Sequence, residues 1–311
     1  MLQQWAIKTE KLRKDYPGLT AVQDLDFGVL AGGVHGFLGP NGAGKSTTLR
    51  MICGLLRPTS GRVLVHDLDP VTHPIEVKRL VGLLPENTPL YREMSVQGFL
   101  QFVAQLRQVP KTEINRSIKN VIEQTGLGDV QHRIVGNLSK GFRQRVGIAQ
   151  ALVHDPKVVI LDEPTAGLDP HSVVEIRSLI RSLKGSKTVI FSSHILTEVE
   201  EVCDTISIIN HGSLKASGTL DDIRQTFKGK SIVKVTTDRE LSVAECQLLQ
   251  NLVGGPVKVQ GTSLQITPQL GRDLRPEVVR FLTENKVGVL AIDLTNPALE
   301  EIFINITQGA P

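Results

Sequence analysis

The sequence predicts an α/β fold carrying an inserted helical stretch, followed by a small α+β unit, and three observations predict it. The runs Val158-Val159-Ile160-Leu161 and Thr188-Val189-Ile190-Phe191 are short, apolar and bounded by turn or polar residues, as strands buried on both faces of a parallel sheet are. A strand pattern, a glycine-rich loop and a helical pattern follow one another directly between residues 34 and 56. Past about Gly218 the texture shifts to strands and helices in the order β-α-β-β-α-β. At 311 residues the chain suits a main domain over 1–218 with an appendage over 219–311.

In chain order, residues 5–12 alternate as a strand, turn at Tyr16-Pro17-Gly18, and lead into a second alternating stretch ending at Val34-His35-Gly36-Phe37-Leu38. The glycine-rich loop comes next. A helix should follow it, with Leu49, Ile52, Leu55 and Leu56 on one face and its stop at Pro58 and Gly61. From about 94 to 137 the pattern becomes polar helices with periodic Leu, Ile and Val, ending in Gly126 and Gly128; this predicts an inserted helical subdomain at about 88–150. Residues 205–217 read as a hairpin turning at Asn210-His211-Gly212. The last part predicts strands near 231–237, 256–261, 263–268 and 287–293, helices near 242–252 and 275–285, and a closing helix from Pro297. That succession is the split arrangement of a ferredoxin-like unit.

Composition narrows the functions. The 35 Lys and Arg against 32 Asp and Glu give a charge of +3, far from the dense basic footprint of a phosphate-backbone binder. With 4% aromatic residues, stacking platforms for single strands are scarce too, so no nucleic-acid partner is expected. Cys53, Cys203 and Cys246 are widely spaced without CxxC pairing, and the amino terminus shows no apolar signal core, which points to a reducing cytosol. No stretch approaches the roughly 18 consecutive apolar residues of a spanning helix, so a membrane role would come through a partner.

The chemistry begins at Gly39-Pro40-Asn41-Gly42-Ala43-Gly44-Lys45-Ser46, which fits G-x-x-x-x-G-K-[ST] between a strand and a helix. Glycines let backbone N–H groups close around phosphate oxygens, and the helix presents its positive end to them. Lys45 would neutralise the β and γ phosphates of ATP and Ser46 would hold Mg2+, with Thr47 next in the loop; the core is thus a P-loop NTPase fold. The strand ending at Leu161 delivers Asp162 and Glu163 at its carboxyl end, where open α/β sheets bind ligands. Asp162 would hold Mg2+ and Glu163 would act as general base toward water. Ser139 opens an apolar helix as a natural N-cap.

Together these motifs resemble the ATPase subunits of ABC transporters over roughly residues 5–220. That family's signature, usually Leu-Ser-Gly-Gly-Gln, corresponds to Leu138-Ser139-Lys140-Gly141-Phe142, with departures at Lys140 and Phe142. The resemblance implies an antiparallel β subdomain beside the P-loop core. It further implies that ATP lies between the P-loop of one subunit and Ser139 and Gly141 of a second, so that the chain works as a homodimer. The D-loop corresponds to Gly167-Leu168-Asp169, the switch histidine to His194, and the adenine-stacking aromatic to Tyr16. Glu86 stands where the family usually has a glutamine near Mg2+. The run Leu84-Pro85-Glu86-Asn87 with Pro89-Leu90-Tyr91, and the terminal Leu299-Glu300-Glu301-Ile302-Phe303, resemble the subset serving ABC-2-type exporters, including drug-resistance and gliding-motility types.

What the resemblance implies is a cytoplasmic ATPase, peripheral on the inner face of the plasma membrane, energising export through integral membrane permease subunits. A soluble ABC ATPase for translation or DNA repair is the alternative. Against it stand a single P-loop and a helical insert of only about fifty residues, where a long coiled coil or a second ATPase domain is expected. Intact Lys45, Asp162, Glu163 and His194 argue against a nucleotide sensor that does not hydrolyse.

Overall fold

The computed structural model describes residues 4–226, 232–266, 274–295 and 303. The chain divides into two compact units, Met1–Thr219 and Leu220–Pro311. In the first, β1 (Trp5–Tyr16), β2 (Leu19–Leu25), β3 (Gly28–Leu30) and β5 (Ser60–Val65) form an antiparallel sheet in which β1 pairs with the other three. Between them in sequence lie β4 (Val34–Leu38) and α1 (Lys45–Ile52). Then follow α2 (Pro74–Leu80), β6 (Val81–Leu84), α3 (Val96–Leu106), α4 (Ile114–Gln124), α5 (Lys140–Leu152), β7 (Val158–Asp162), α6 (Pro170–Ser182), β8 (Thr188–Ser193), α7 (Leu196–Val202), β9 (Thr205–Asn210) and β10 (Ser213–Thr219).

The second sheet has six strands in the order β10-β9-β4-β8-β7-β6, parallel except for the antiparallel edge strand β10. Every residue of β4, β7 and β8 is buried, which is why these strands read as unbroken apolar runs rather than alternation. One core joins Ile7, Leu12, Val22 and Leu25 of the antiparallel sheet to Leu49, Met51 and Ile52 of α1 and to Phe37, Ile160 and Ile190 of the central strands. Helix α1 is therefore held from two sides, and the loop entering it is fixed at both ends. Among the described residues no helix is long and apolar enough to cross a membrane.

One expected boundary is corrected. Helix α1 ends at Ile52, and Leu55 N–H bonds back to Arg50 O, so Leu55 lies outside the helix and is exposed while Leu56 packs on the core separately. Elements β5, α2, β6, α6 and α7 have no counterpart in the sequence reading; β6 is an edge strand of four residues, too short for a periodicity to declare itself.

The second unit opens with α8 (Leu220–Thr226) and continues with β11 (Ile232–Thr237), α9 (Val243–Val253), β12 (Val257–Gln260), β13 (Ser263–Ile266), α10 (Arg275–Glu284) and β14 (Val289–Thr295). Its sheet has the order β12-β13-β11-β14, antiparallel throughout, which is the ferredoxin-like pairing of a β-α-β-β-α-β chain. Val233, Val235, Leu249, Leu264, Val278 and Leu282 form its core. Ser242 and Glu245 close α9 with a reciprocal capping box, and Gly254 ends it. The closing helix expected from Pro297, and with it Leu299, Glu300, Glu301 and Ile302, lies outside the described residues.

Candidate functional site

The glycine loop is shaped by what its neighbours leave no room for. Gly44 has φ +101°, a conformation that L side chains rarely adopt, and a Cβ there would collide with the Ala21 carbonyl oxygen of β2. Thr48 Oγ1 donates to Gly44 O at 2.9 Å and fixes the first turn of α1. Lys45 is only 6% exposed. Its ammonium donates to Gly39 O at 2.7 Å and Pro40 O at 3.2 Å, and lies 3.2 Å from Glu163 Oε1. A lysine this buried is tolerated because loop carbonyls and a carboxylate surround it.

The acidic pair sits where β7 ends. Asp162 is 4% exposed and Glu163 9%. Register pairs Asp162 with Ser192 of β8, and the Ser192 hydroxyl donates to Asp162 Oδ1 at 2.7 Å while accepting from Glu163 N–H at 2.9 Å. One hydroxyl thus orders both acids. Glu163 has φ +48°, a left-handed backbone for a non-glycine residue, which costs on the order of 1–3 kcal/mol and aims its side chain back over the loop. His194 Nδ1 lies 2.9 Å from Glu163 Oε2. The other carboxylate oxygen, Oε1, is buried with no hydrogen-bond partner, a vacant acceptor beside the Lys45 ammonium.

These groups face a cleft of about 460 Å³ lined by Tyr16, Leu19, Ala21, residues 40–47, Glu86, Glu163, Ala166 and His194. Tyr16, 41% exposed, ends β1 at its mouth with the Lys14 ammonium 5.4 Å from its ring centroid. Glu86 lies two residues past β6 and is exposed on the same cleft. Asp162 and Gly39 are not among the lining residues, though Gly39 O accepts from the Lys45 ammonium. Ser46 and Glu86 on the cleft, and Asp162 at the end of β7, carry hard oxygens of the type Mg2+ takes. Among the described residues no three His, Cys, Asp or Glu side chains converge into a metal centre, so phosphate and water would supply the other ligands. A glycine cradle that a Cβ would obstruct, a buried lysine and a vacant carboxylate oxygen fit a bound triphosphate with its cation.

Ser139 and Gly141 are not among the cleft residues. Ser139 caps α5, its Oγ accepting from Phe142 N–H at 3.3 Å, and Gly141 packs so closely on Ser172 that a Cβ would collide with that hydroxyl. Asp169 caps α6 by accepting from Ser172 N–H at 3.0 Å, and hydrogen bonding from Ser172 lowers its carboxyl pKa. Lys140, where the resemblance leads one to expect glycine, donates to Ala166 O at 2.9 Å and Gly167 O at 3.0 Å. The segment after Glu163 is also held by Gln144 Nε2, which donates to Pro164 O at 2.8 Å. Gln144, Ser192 and Glu198 have no role in the sequence reading, because no motif spacing marks them.

The comparisons bear on this geometry. A family model described as ABC transporter matches residues 22–166. The chain is 33% identical to the bacitracin transport ATP-binding protein BcrA of Bacillus licheniformis, over 97% of this chain and 97% of that one. It is 30% identical to the linearmycin resistance ATP-binding protein LnrL of Bacillus subtilis, over 97% and 98%. Among solved structures, an ATP binding subunit of an ABC transporter superposes with a TM-score of 0.65 at 30% identity, covering 71% of this chain and 93% of that one. A cleft lined by the glycine loop, a buried acidic pair at a strand end, and 33% identity over 97% of the chain to such a subunit lead to one conclusion: the chain belongs to the ATP-binding, ATP-hydrolysing subunits of ABC transporters.

Proposed function

We propose that this ATPase drives export through separate ABC-2-type permease subunits, working as an ATP-closed homodimer on the cytoplasmic face of the plasma membrane. The observation that carries its chemistry is Glu163 Oε1, a buried carboxylate oxygen without a hydrogen-bond donor, 3.2 Å from Lys45. Residues 39–46 wrap the phosphates, and Lys45 exchanges the carbonyls of Gly39 and Pro40 for phosphate oxygens. Tyr16 stacks on the adenine. Ser46, Asp162 and Glu86 would hold Mg2+; bound there, the cation would neutralise charge developing on the phosphates. Glu163 takes the proton of the attacking water and His194 holds the carboxylate in place. Ser139 and Gly141 of the second copy, positioned beside Asp169, complete the site.

An exposed apolar surface supports the permease partner. Tyr91, Phe102 and Leu106 line one groove, and Leu55, Ile75 and Leu106 the adjoining one, all of them exposed. Relatives named for bacitracin transport and linearmycin resistance support a transport role, and resistance suits export. The test is Glu163→Gln, which should keep ATP binding, lose turnover by about 10²–10⁴-fold, and accumulate as a dimer with ATP. A cysteine at Phe102 should crosslink to an integral membrane protein in membranes of the source cell. Turnover within threefold of the parent removes Glu163 as the base, and crosslinks to soluble proteins alone remove the permease reading.

A further inference from the structure

Among the described residues, Glu198 is the one buried acid besides Asp162 and Glu163. It is 4% exposed, in the first turn of α7, where the chain has just left β8 and His194. Its Oε2 accepts two hydroxyl protons: from Thr165 Oγ1 at 2.8 Å and from Ser193 Oγ at 2.8 Å. Thr165 lies two residues after Glu163, and Ser193 is the residue before His194. Both are buried, and Ser193 Oγ also accepts from Ile195 N–H at 2.9 Å, which orients its proton toward the carboxylate.

We propose that Glu198 is a positioning residue for hydrolysis, a buried carboxylate that ties the loop carrying Glu163 to the loop carrying His194 and so sets the distance between them. The proposal rests on Glu163 and His194 acting as the base and its partner. Their side chains meet at 2.9 Å across two chain segments that leave the sheet after β7 and β8. The β7–β8 ladder reaches only Asp162 and Ser192, and β4 holds β8 one residue further, at Ser193. Beyond the sheet edge Glu163 takes a left-handed backbone and the chain turns away, so something other than the ladder must hold Thr165 against Ser193. Glu198 does so from a third element, with two short bonds to an acceptor inside the protein, where a hydrogen bond to a charged group is stronger than one between neutral partners.

The chemistry of the acceptor makes a discriminating test. An amide oxygen at the same place has two lone pairs and can take both hydroxyl protons, so Glu198→Gln keeps the tie, whereas Glu198→Ala takes the acceptor from the buried Thr165 hydroxyl and leaves that of Ser193 only the Ile195 carbonyl at 3.3 Å. If the tie positions the reacting groups, its loss misplaces Glu163 and His194 by a fraction of an ångström to an ångström, a displacement that costs up to about 10²-fold in turnover. Nucleotide affinity comes from residues 39–47 and Tyr16, which Glu198 does not touch.

Three proteins should therefore be compared in Mg·ATP hydrolysis and in nucleotide titration: the parent, Glu198→Gln and Glu198→Ala. The expected result is a kcat lower by about 10–10²-fold in Glu198→Ala with KM and ATP affinity within threefold of the parent, and recovery to within about threefold of parental kcat in Glu198→Gln. Thr165→Val, which removes one donor while keeping its shape, should fall between them; it carries the test by itself if Glu198→Ala does not fold. Parental kcat in a folded Glu198→Ala or in Thr165→Val overturns the proposal, as does equal loss of kcat and nucleotide affinity in both, which is what a purely structural acid would give. Glu163→Gln measured alongside separates the two readings. Inactive Glu163→Gln beside fully active Glu198→Ala rejects the tie and leaves the base; active Glu163→Gln rejects the base itself.

Discussion

Without nucleotide, Lys45 and Glu163 neutralise one another, and removing either should disturb the other by an amount the geometry bounds. At 3.2 Å and an effective dielectric near 20, the attraction is about 5 kcal/mol before desolvation is subtracted. Desolvation of two groups 6% and 10% exposed offsets much of that, so the coupling left should be about 1–3 kcal/mol. The two single changes are not equivalent. Glu163→Gln leaves the ammonium its carbonyls at Gly39 and Pro40, and should cost under about 1 kcal/mol. Lys45→Met takes from the buried Glu163 Oε1, which accepts no hydrogen bond, its one ionic partner among the described residues, leaves only His194 at the opposite oxygen, and should cost about 2–4 kcal/mol. The double variant should then be more stable than Lys45→Met alone. Trp5 is the chain's single tryptophan and sits in β1 of the first unit, so its fluorescence in urea follows that unit. Costs that add to within about 0.5 kcal/mol in nucleotide-free, chelated buffer would refute the argument.

The glycine loop makes a paired prediction: Gly44→Ala should weaken ATP binding far more than Gly42→Ala, because both have positive φ but only at Gly44 does a Cβ meet backbone, and equal losses in titration would count against the loop's shape as the cause. For pH, burial on β4 between Thr205 and Ser207 pushes His35 down to about 4, against 6.5 when unfolded. The unfolded chain then binds the extra proton between those values, so stability is complete above about pH 6.5 and falls by about 3 kcal/mol as pH drops to 4; a urea series in which His35→Gln keeps the parental slope would contradict this. Mixed dimers test the composite site: a Lys45→Ala chain combined with a Ser139→Arg chain has one site with both lesions and one with neither, and activity should partly return, whereas a mixture as inactive as either alone rejects the arrangement.

Much of the architecture was legible because its strongest signals are local. Strands buried on both faces print as apolar runs, and β7 and β8 could be read that way. The second unit's order could be read because each element alternates or repeats within its own length. The end of α1 is hidden for the opposite reason: Leu55 and Leu56 continue the helical spacing, but one is exposed and the other packs from outside the helix, and periodicity cannot tell these apart. At the site, the residues that touch the cleft carry motif spacing, while those that hold them do not. Ser192 and Glu198 act through hydroxyl bonds between segments some thirty residues apart, a relation no single-sequence pattern contains.

The segment behind Glu163 shows what that hidden layer does. Glu163 N–H is held by Ser192, Pro164 O by Gln144, the Thr165 hydroxyl by Glu198, and the carbonyls of Ala166 and Gly167 by Lys140. Three of these four partners come from elements other than the neighbouring strand, and two, Lys140 and Gln144, lie one helical turn apart on α5. A left-handed glutamate costs free energy to keep, and only bonds at successive residues from rigid elements keep it in one place. Since α5 is the helix that Ser139 caps, any force that shifts its first turn acts on the carbonyls three and four residues after Glu163 through Lys140 without passing through the cleft.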